Sequence, residues 1–173
     1  MITLVLGGAR SGKSRYAEQL GHDWLTATPD GERLYIATCQ AFDNEMSTRI
    51  DKHKEQRGDN WTTIEEPFRL SHCLKTEAQK IRFILVDCLT LWLTNHLLAE
   101  HDIEQEIATL CDTLSKADGN IVLVANEVGL GIVPDNKLAR QFRDHAGICN
   151  QRVAEVADRV VFIAAGLPLV MKG

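Results

Sequence analysis

The chain lacks several features that would assign it to a broad class of proteins. It has no run of roughly 18 apolar residues, so no membrane span is expected. Its apolar N-terminus leads directly into glycines, without the basic region or cleavage site of a secretory leader. Its 19 basic and 24 acidic residues give a net charge of −5, so there is no basic excess for binding nucleic acid. These absences favour a cytoplasmic protein that binds neither membranes nor nucleic acid.

The cysteines show no ligand or disulfide pattern. The five cysteines are odd in number, lie far apart and include no Cys-x-x-Cys pair. We therefore expect reduced thiols rather than disulfides or a zinc site. With 173 residues, 45% of them hydrophobic and 25% charged, the chain has the size and composition of one globular domain spanning residues 1–173.

Short apolar runs alternate with helical patterns along the chain. The patterns predict strands at 2–6, 34–38, 61–64, 82–86, 121–125 and 159–164, and helices at 13–20, 44–56, 70–80, 89–99, 103–117 and 137–157. After residue 164, Gly166-Leu167-Pro168 predicts a tight turn into a short last segment. Continuous apolar strands separated by helices predict an α/β fold, with a mostly parallel sheet covered by helices on both faces. Ligands of such sheets bind at the carboxyl ends of the strands.

The last two helices predict buried stripes. One stripe contains Ile103, Ile107, Leu110 and Leu114; the other contains Leu138, Phe142, Ala146, Cys149 and Val153.

A phosphate-binding loop follows the first strand. Residues 7–14 match the motif G-x-x-x-x-G-K-[ST] between a strand and a helix. They read Gly7-Gly8-Ala9-Arg10-Ser11-Gly12-Lys13-Ser14. Backbone N–H groups of such a loop surround the phosphates, and Lys13 brings a positive charge to the outer phosphates. Ser14 is a candidate ligand for the Mg²⁺ that accompanies a nucleoside triphosphate. Asp87 follows a buried strand, and it either helps to hold this Mg²⁺ or caps the next helix.

A second segment places a histidine among arginines. If 44–56 is helical, then Arg49, His53 and Arg57 recur every four residues and share one face. One interpretation is phosphate recognition, in which a neutral imidazole flanked by cations attacks phosphorus. The other is a solvated charged face with an incidental histidine.

Asn126-Glu127 ends the fifth predicted strand, and the sequence leaves its role open. These side chains could bind metal, orient an acceptor hydroxyl, anchor the loop 128–134, or only cap the turn after the strand. The three tryptophans are interpreted as packing residues, and the histidines other than His53 as surface or structural residues.

Together these motifs resemble the bifunctional adenosylcobinamide kinase / adenosylcobinamide-phosphate guanylyltransferases of cobalamin biosynthesis. The resemblance rests on the phosphate loop, on Tyr35-Ile36-Ala37-Thr38-x-Gln40, on Arg49-Ile50-x-x-His53-x-x-x-Arg57 and on Asn126-Glu127-Val128-Gly129-x-Gly131-Ile132-Val133-Pro134. It implies a P-loop NTPase fold of the RecA-like type. It also implies two reactions: phosphorylation of adenosylcobinamide by ATP or GTP, and transfer of GMP from GTP to adenosylcobinamide phosphate through a covalent intermediate on His53.

The resemblance also implies a set of binding residues and an assembly. Nucleotide contacts map onto Gly7, Gly8, Ala9, Arg10, Ser11, Gly12, Lys13, Ser14, Ala37, Thr38, Cys39, Lys54, Glu55, Gln56, Arg57, Glu65 and Asp87, with Glu66 as the alternative to Glu65. Lys13 and His53 would be catalytic, and Ser14 and Asp87 would hold Mg²⁺. Family similarity suggests a homotrimer. The preferred phosphoryl donor and the residues that contact the corrinoid stay open.

Two other classes share a phosphate loop. Guanine-nucleotide switches usually carry an Asn-Lys-x-Asp motif, which this sequence lacks. A simple ATP-dependent small-molecule kinase would have no need of His53.

Overall fold

The computed structural model describes residues 1–40, 61–78 and 81–173. Its strands are β1 (Ile2–Gly7), β2 (Glu32–Ala37), β3 (Thr62–Glu65), β4 (Arg82–Asp87), β5 (Asn120–Asn126), β6 (Arg159–Ala164) and β7 (Leu167–Lys172). Its helices are α1 (Lys13–Ala27), α2 (Leu70–Glu77), α3 (Leu89–Leu98), α4 (Ile103–Ser115) and α5 (Lys137–Val156). The helix predicted at 44–56 lies outside the described residues.

The described strands form one sheet in the order β3-β2-β4-β5-β1-β6-β7. Strands β1 to β6 pair in parallel, and β7 returns antiparallel to β6. In a parallel sheet the carboxyl ends of all strands lie at one edge. That edge therefore brings together the residues that follow β1, β2, β3, β4 and β5. The predicted α/β fold with a mostly parallel sheet is confirmed.

The sheet is buried on both faces because successive strand residues point to opposite sides. On one face Leu4 and Leu6 of β1 pack with apolar residues of α2, α3, α4 and α5. On the other face Val5 packs with Ala17 of α1. The stripe predicted for α4 is buried throughout. Helices on both faces explain why the central strands are continuously apolar rather than alternating.

Helix α1 extends to Ala27, although the sequence predicted a helix only to residue 20. The predicted end lay directly before Gly21, which lies inside the helix with Trp61 packed against it. A Cβ at Gly21 would lie 2.7 Å from the Trp61 ring. This glycine therefore makes room for an aromatic side chain instead of ending the helix.

Two further expectations need correction. The turn after β6 is at Ala165 and Gly166, both at positive φ, so Leu167 and Pro168 already belong to strand β7. Proline is tolerated there because β7 is an edge strand. In α5 the predicted stripe is buried at Ala146, Cys149 and Val153, but Leu138 is 50% exposed because the first turn is not covered.

Candidate functional site

Two positions in the loop between β1 and α1 require glycine. A Cβ on Gly7 would lie 2.5 Å from the carbonyl oxygen of Ile163 and 2.6 Å from Oγ of Ser11. Gly12 has φ 99°, a left-handed conformation that L side chains rarely adopt. Arg10 is also left-handed, with φ 56°. The loop is therefore held in a tight turn that leads straight into α1.

The N-terminus of α1 is available to an anion. Gly12 caps the helix without a side-chain hydrogen bond, and the first turn contains no acidic residue. The first backbone N–H groups of a helix have no partner within the helix and carry partial positive charge. Oγ of Ser11 is buried and has no hydrogen-bond partner among the described residues. These donors suit a phosphate group.

Lys13 lies inside the same loop. Its Nζ donates to the carbonyl oxygen of Gly8 at 2.8 Å, and the residue is only 8% exposed. Burial lowers the pKa of Lys13, while the negative charge of Asp87 acts in the opposite direction. The ammonium group and the Asp87 carboxylate are thus close enough to interact electrostatically.

Asp87 is positioned by the sheet and by a tyrosine. It ends β4 and pairs in register with Ala37 of β2, which pairs with Glu65 of β3. In-register neighbours point to the same face, and Ala37 packs on the α1 side. The hydroxyl of Tyr35 donates to Oδ2 of Asp87 at 3.0 Å.

The helix-cap interpretation of Asp87 is wrong. The cap residue of α3 is Cys88, and no side chain caps that helix. The predicted Mg²⁺ role of Asp87 stays a prediction.

Ser14 and Asp87 form a donor set that fits Mg²⁺. A hydroxyl oxygen and a carboxylate are hard oxygen ligands, and Mg²⁺ takes its remaining ligands from phosphates and water. Within the described residues no group of three or more His, Cys, Asp or Glu side chains could hold a metal.

Thr38 is fully buried directly after β2. Its Oγ1 donates to the carbonyl oxygen of Cys88 at 2.7 Å and accepts from the Cys88 N–H at 2.8 Å. Asn95 of α3 donates to the Thr38 carbonyl at 2.7 Å and to the Pro67 carbonyl at 3.0 Å. The Thr38 side chain thus fixes the chain next to Asp87, and its predicted nucleotide contact stays a prediction.

Cys88 and Asn95 escaped the sequence analysis because their contacts join distant parts of the chain. Burial raises the pKa of the Cys88 thiol to about 12, so this cysteine is not a nucleophile near neutral pH. Tyr35 lies in the Tyr35-Ile36-Ala37-Thr38 motif, but only the sheet register shows that it reaches Asp87.

The two glutamates after Ile64 have different surroundings. Glu66 accepts from the N–H groups of Phe68 and Arg69 at 3.2 and 2.8 Å, so its carboxylate holds the turn before α2. Glu65 ends β3 on the exposed carboxyl edge, in register with Ala37. The nucleotide contact of Glu65 stays a prediction, with Glu66 as its alternative.

Asn126 and Glu127 join β5 to the phosphate loop. Glu127 N–H donates to the Gly7 carbonyl at 3.0 Å, and Oε1 of Glu127 accepts from the Gly129 N–H at 2.5 Å. Asn126 N–H donates to Oγ1 of Thr90 at 2.7 Å. The sequence left several roles open for Glu127. The structure favours one of them, in which Glu127 anchors the loop that follows β5.

Five of the predicted site residues lie outside the described residues: His53, Lys54, Glu55, Gln56 and Arg57. The others gather at the carboxyl edge of the sheet: the loop 7–14 follows β1, residues 37–39 end and follow β2, Glu65 ends β3 and Asp87 ends β4. The arrangement can bind a nucleoside triphosphate through its phosphates and Mg²⁺.

Comparisons with known proteins agree on one family. A profile described as cobinamide kinase / cobinamide phosphate guanyltransferase matches residues 3–171. The bifunctional adenosylcobalamin biosynthesis protein CobP of Pseudomonas aeruginosa is 47% identical over 175 residues, covering 100% of this chain and 98% of CobP. The bifunctional protein CobU of Salmonella typhimurium is 41% identical over 187 residues, covering 99% of this chain and 100% of CobU.

The fold is also similar to that of solved structures. The flagellar accessory protein FlaH from Methanocaldococcus jannaschii superposes with a TM-score of 0.54 at 13% identity, covering 99% of this chain and 77% of FlaH. At this identity the likeness concerns the fold alone.

Proposed function

The chain belongs to the cobinamide kinase / cobinamide phosphate guanyltransferase family, and on that premise we propose that one phosphate-binding site serves two reactions. In the first, the hydroxyl of the aminopropanol arm of adenosylcobinamide receives the γ-phosphoryl group of ATP or GTP. In the second, the resulting phosphate receives GMP from GTP, and pyrophosphate leaves. The observation that carries the proposal is the phosphate loop 7–14 closed around Lys13, beside the carboxylate of Asp87.

In the kinase step the protein acts mainly by positioning and by charge. The backbone N–H groups of the loop and the start of α1 hold the β and γ phosphates. The Lys13 ammonium stabilises the negative charge that spreads over the γ-phosphoryl oxygens during in-line transfer. The acceptor hydroxyl attacks the γ-phosphorus and releases its proton to solvent, while the bond from the γ-phosphorus to the bridging oxygen breaks and the nucleoside diphosphate leaves.

We propose that Ser14 and Asp87 hold the Mg²⁺ of the bound nucleotide. Bound there, Mg²⁺ would neutralise charge on the phosphate oxygens. The Tyr35 hydroxyl supports this role by fixing the orientation of the Asp87 carboxylate.

In the guanylyl step the loop holds the same two phosphates, which now form the leaving group. An imidazole nitrogen of His53 attacks the α-phosphorus, and the bond between the α-phosphorus and the pyrophosphate oxygen breaks. An oxygen of adenosylcobinamide phosphate then attacks the same phosphorus, and the P–N bond to His53 breaks. The assignment of His53 rests on the sequence resemblance, because this residue lies outside the described part of the chain.

We also propose that the enzyme is a homo-oligomer, with a trimer as the expected form. Strand β7 is an edge strand, and Leu167, Leu169 and Met171 are 72%, 63% and 62% exposed. Exposed apolar edge strands of this kind pair readily with another chain. Sedimentation or light scattering would test this assembly.

A cytoplasmic location fits these reactions. All five cysteines are free in the structure, in agreement with a reducing compartment. Among the described residues no helix has the length and apolar character needed to cross a membrane.

GTP labelled at the α-phosphorus tests the covalent step. We expect the protein to retain the label after denaturation, in a bond that is labile in acid and stable in alkali. His53→Asn should abolish this label while sparing phosphorylation of cobinamide, and Lys13→Ala should impair both reactions. His72→Asn is the matched control, because His72 is exposed on α2 and the proposal gives it no role. Normal GMP transfer by His53→Asn would overturn the covalent assignment.

A further inference from the structure

Four apolar side chains beside the nucleotide site are strongly exposed. Ile132 is 98% exposed, Leu130 83%, Val133 59% and Leu138 50%. They lie on the loop between β5 and α5 and on the first turn of α5, and we call them the apolar rim. Exposed apolar side chains that cluster in one segment are candidates for a binding surface.

The apolar rim is joined directly to the phosphate loop. The backbone N–H of Glu127 donates to the carbonyl oxygen of Gly7, so the loop that carries the rim begins in contact with residue 7. The loop that carries the rim therefore starts at the same edge of the sheet as the phosphate loop.

The loop that carries the rim is held in place, although its apolar side chains face solvent. Oε1 of Glu127 accepts from the Gly129 N–H near the start of the loop. At its end, Arg140 donates to the carbonyl oxygens of Pro134 and Asp135 at 2.9 and 2.6 Å. Asn136 then caps α5 by accepting from the Ala139 N–H at 2.7 Å. A surface fixed before binding loses less conformational entropy when a ligand binds.

A shallow apolar groove continues the rim towards α3. Its volume is about 340 Å³, and its lining includes Leu97 and Leu98 of α3 and Leu138 and Phe142 of α5. Pockets that enclose small ligands span about 300–1,000 Å³. The groove is too small to enclose a corrinoid ring with its side chains, so such a ring would lie on this surface.

We propose that the apolar rim binds one face of the corrinoid ring of cobinamide. This inference rests on the kinase function proposed above, whose reacting hydroxyl lies at the end of a side arm of that ring. The ring must therefore bind outside the phosphate loop but within the reach of its own arm, and a surface on the loop that starts in contact with Gly7 is a candidate for that position. A second copy of the chain is the alternative occupant, but the open edge of β7 offers it backbone pairing that the rim lacks.

The test is the affinity for cobinamide without nucleotide, measured by quenching of tryptophan fluorescence. Ile132→Ser should weaken binding about tenfold, the ratio that ~1.4 kcal/mol of lost apolar contact gives. Leu130→Ser should act in the same direction. Both side chains are exposed, so folding should be unaffected. Ile81→Ser is the matched control: Ile81 is 61% exposed directly before β4, at the opposite edge of the sheet, and its variant should bind normally.

The KM for cobinamide should rise in the two rim variants, while the KM for ATP and the GMP labelling from GTP stay unchanged. Unchanged cobinamide affinity in Ile132→Ser and Leu130→Ser would overturn the proposal, as would an equal loss in Ile81→Ser. Dissociation of the assembly in the rim variants, seen by light scattering, would overturn it in favour of a second copy on this surface. If the wild-type protein binds cobinamide through Ile132 but does not phosphorylate it, the kinase function fails and the binding surface stands.

Discussion

The Thr38 hydroxyl connects the end of β2 to Cys88, and its removal tests how strongly this contact stabilises the site. Oγ1 both donates to the Cys88 carbonyl and accepts from the Cys88 N–H, at 2.7 and 2.8 Å, in a position with no solvent exposure. Valine has nearly the same shape as threonine but cannot form either bond. Thr38→Val therefore leaves the buried N–H of Cys88 without its partner, whereas the Cys88 carbonyl still accepts from the Trp92 N–H.

The expected loss of stability follows from these bonds. A buried donor left without a partner costs about 1–3 kcal/mol, and the second lost bond adds about 1 kcal/mol. We therefore expect Thr38→Val to lower the free energy of unfolding by about 2–4 kcal/mol. Thr38→Ser keeps the hydroxyl and removes one methyl group, so it should cost only ~1 kcal/mol. Urea unfolding followed by circular dichroism measures both values.

The same pair of variants separates this role from the nucleotide contact that the resemblance assigns to Thr38. If the hydroxyl contacted the nucleotide instead of Cys88, Thr38→Val would raise the KM for GTP and unfold at nearly the same urea concentration as Thr38→Ser. That result would refute the stabilising role of the two hydrogen bonds to Cys88.

Two further predictions concern the loop and a buried histidine. Gly7→Ala places a Cβ 2.5 Å from the Ile163 carbonyl oxygen, so calorimetry should show that nucleotide binding is lost. In Gly8→Ala the added Cβ meets no atom within 4 Å, so this variant should keep the unfolding free energy of the wild type. Burial lowers the pKa of His96, so the unfolded chain takes up a proton at a higher pH than the folded chain. Stability should therefore fall as the pH drops below about 6.5, and His96→Gln should reduce that slope in unfolding measurements between about pH 7.5 and 5.5. An unchanged slope would contradict the assignment to His96.

The phosphate loop could be predicted from the sequence because its chemistry is local. All its residues are consecutive, and the strand before it and the helix after it follow from short-range patterns. The parallel sheet followed from the continuously apolar strands, since strands buried on both faces need no alternation. At Gly7 the structure leaves no room for a side chain, and at Gly12 a side chain would strain the backbone.

The missed features depend on contacts between distant residues. The helix predicted at 13–20 was too short, and nothing in the sequence near Gly21 shows that Trp61, forty residues later, fills the space beside this glycine. Leu138 fits a buried stripe by spacing, but burial depends on whether another element covers the first turn of α5. Strand β7 was missed because its residues are exposed and its proline suggested a turn.

The candidate site likewise combines residues that the sequence predicted with contacts that it did not. Spacing in the sequence identified Lys13, Ser14 and Asp87 as a candidate set, and the sheet brings their elements to one edge. The hydrogen bond from Tyr35 to Asp87 and the two hydrogen bonds between Thr38 and Cys88 span about fifty residues each. Such contacts depend on the order β2-β4 in the sheet, which the sequence patterns do not determine.

The phosphate loop is fixed from both sides, and this constrains how one site can serve two reactions. The Gly7 carbonyl accepts from the Glu127 N–H at the end of β5, and the Ser11 carbonyl accepts from the Gly166 N–H in the β6–β7 turn, at 3.0 and 2.8 Å. A shift of the loop would break bonds to both neighbours, so the β and γ phosphates should keep one position in both steps. The γ-phosphorus reacts in the first step and the α-phosphorus in the second. On the proposed mechanism, the choice between them must therefore lie with the attacking group: the hydroxyl of the corrinoid substrate for the γ-phosphorus, or the proposed imidazole nucleophile for the α-phosphorus.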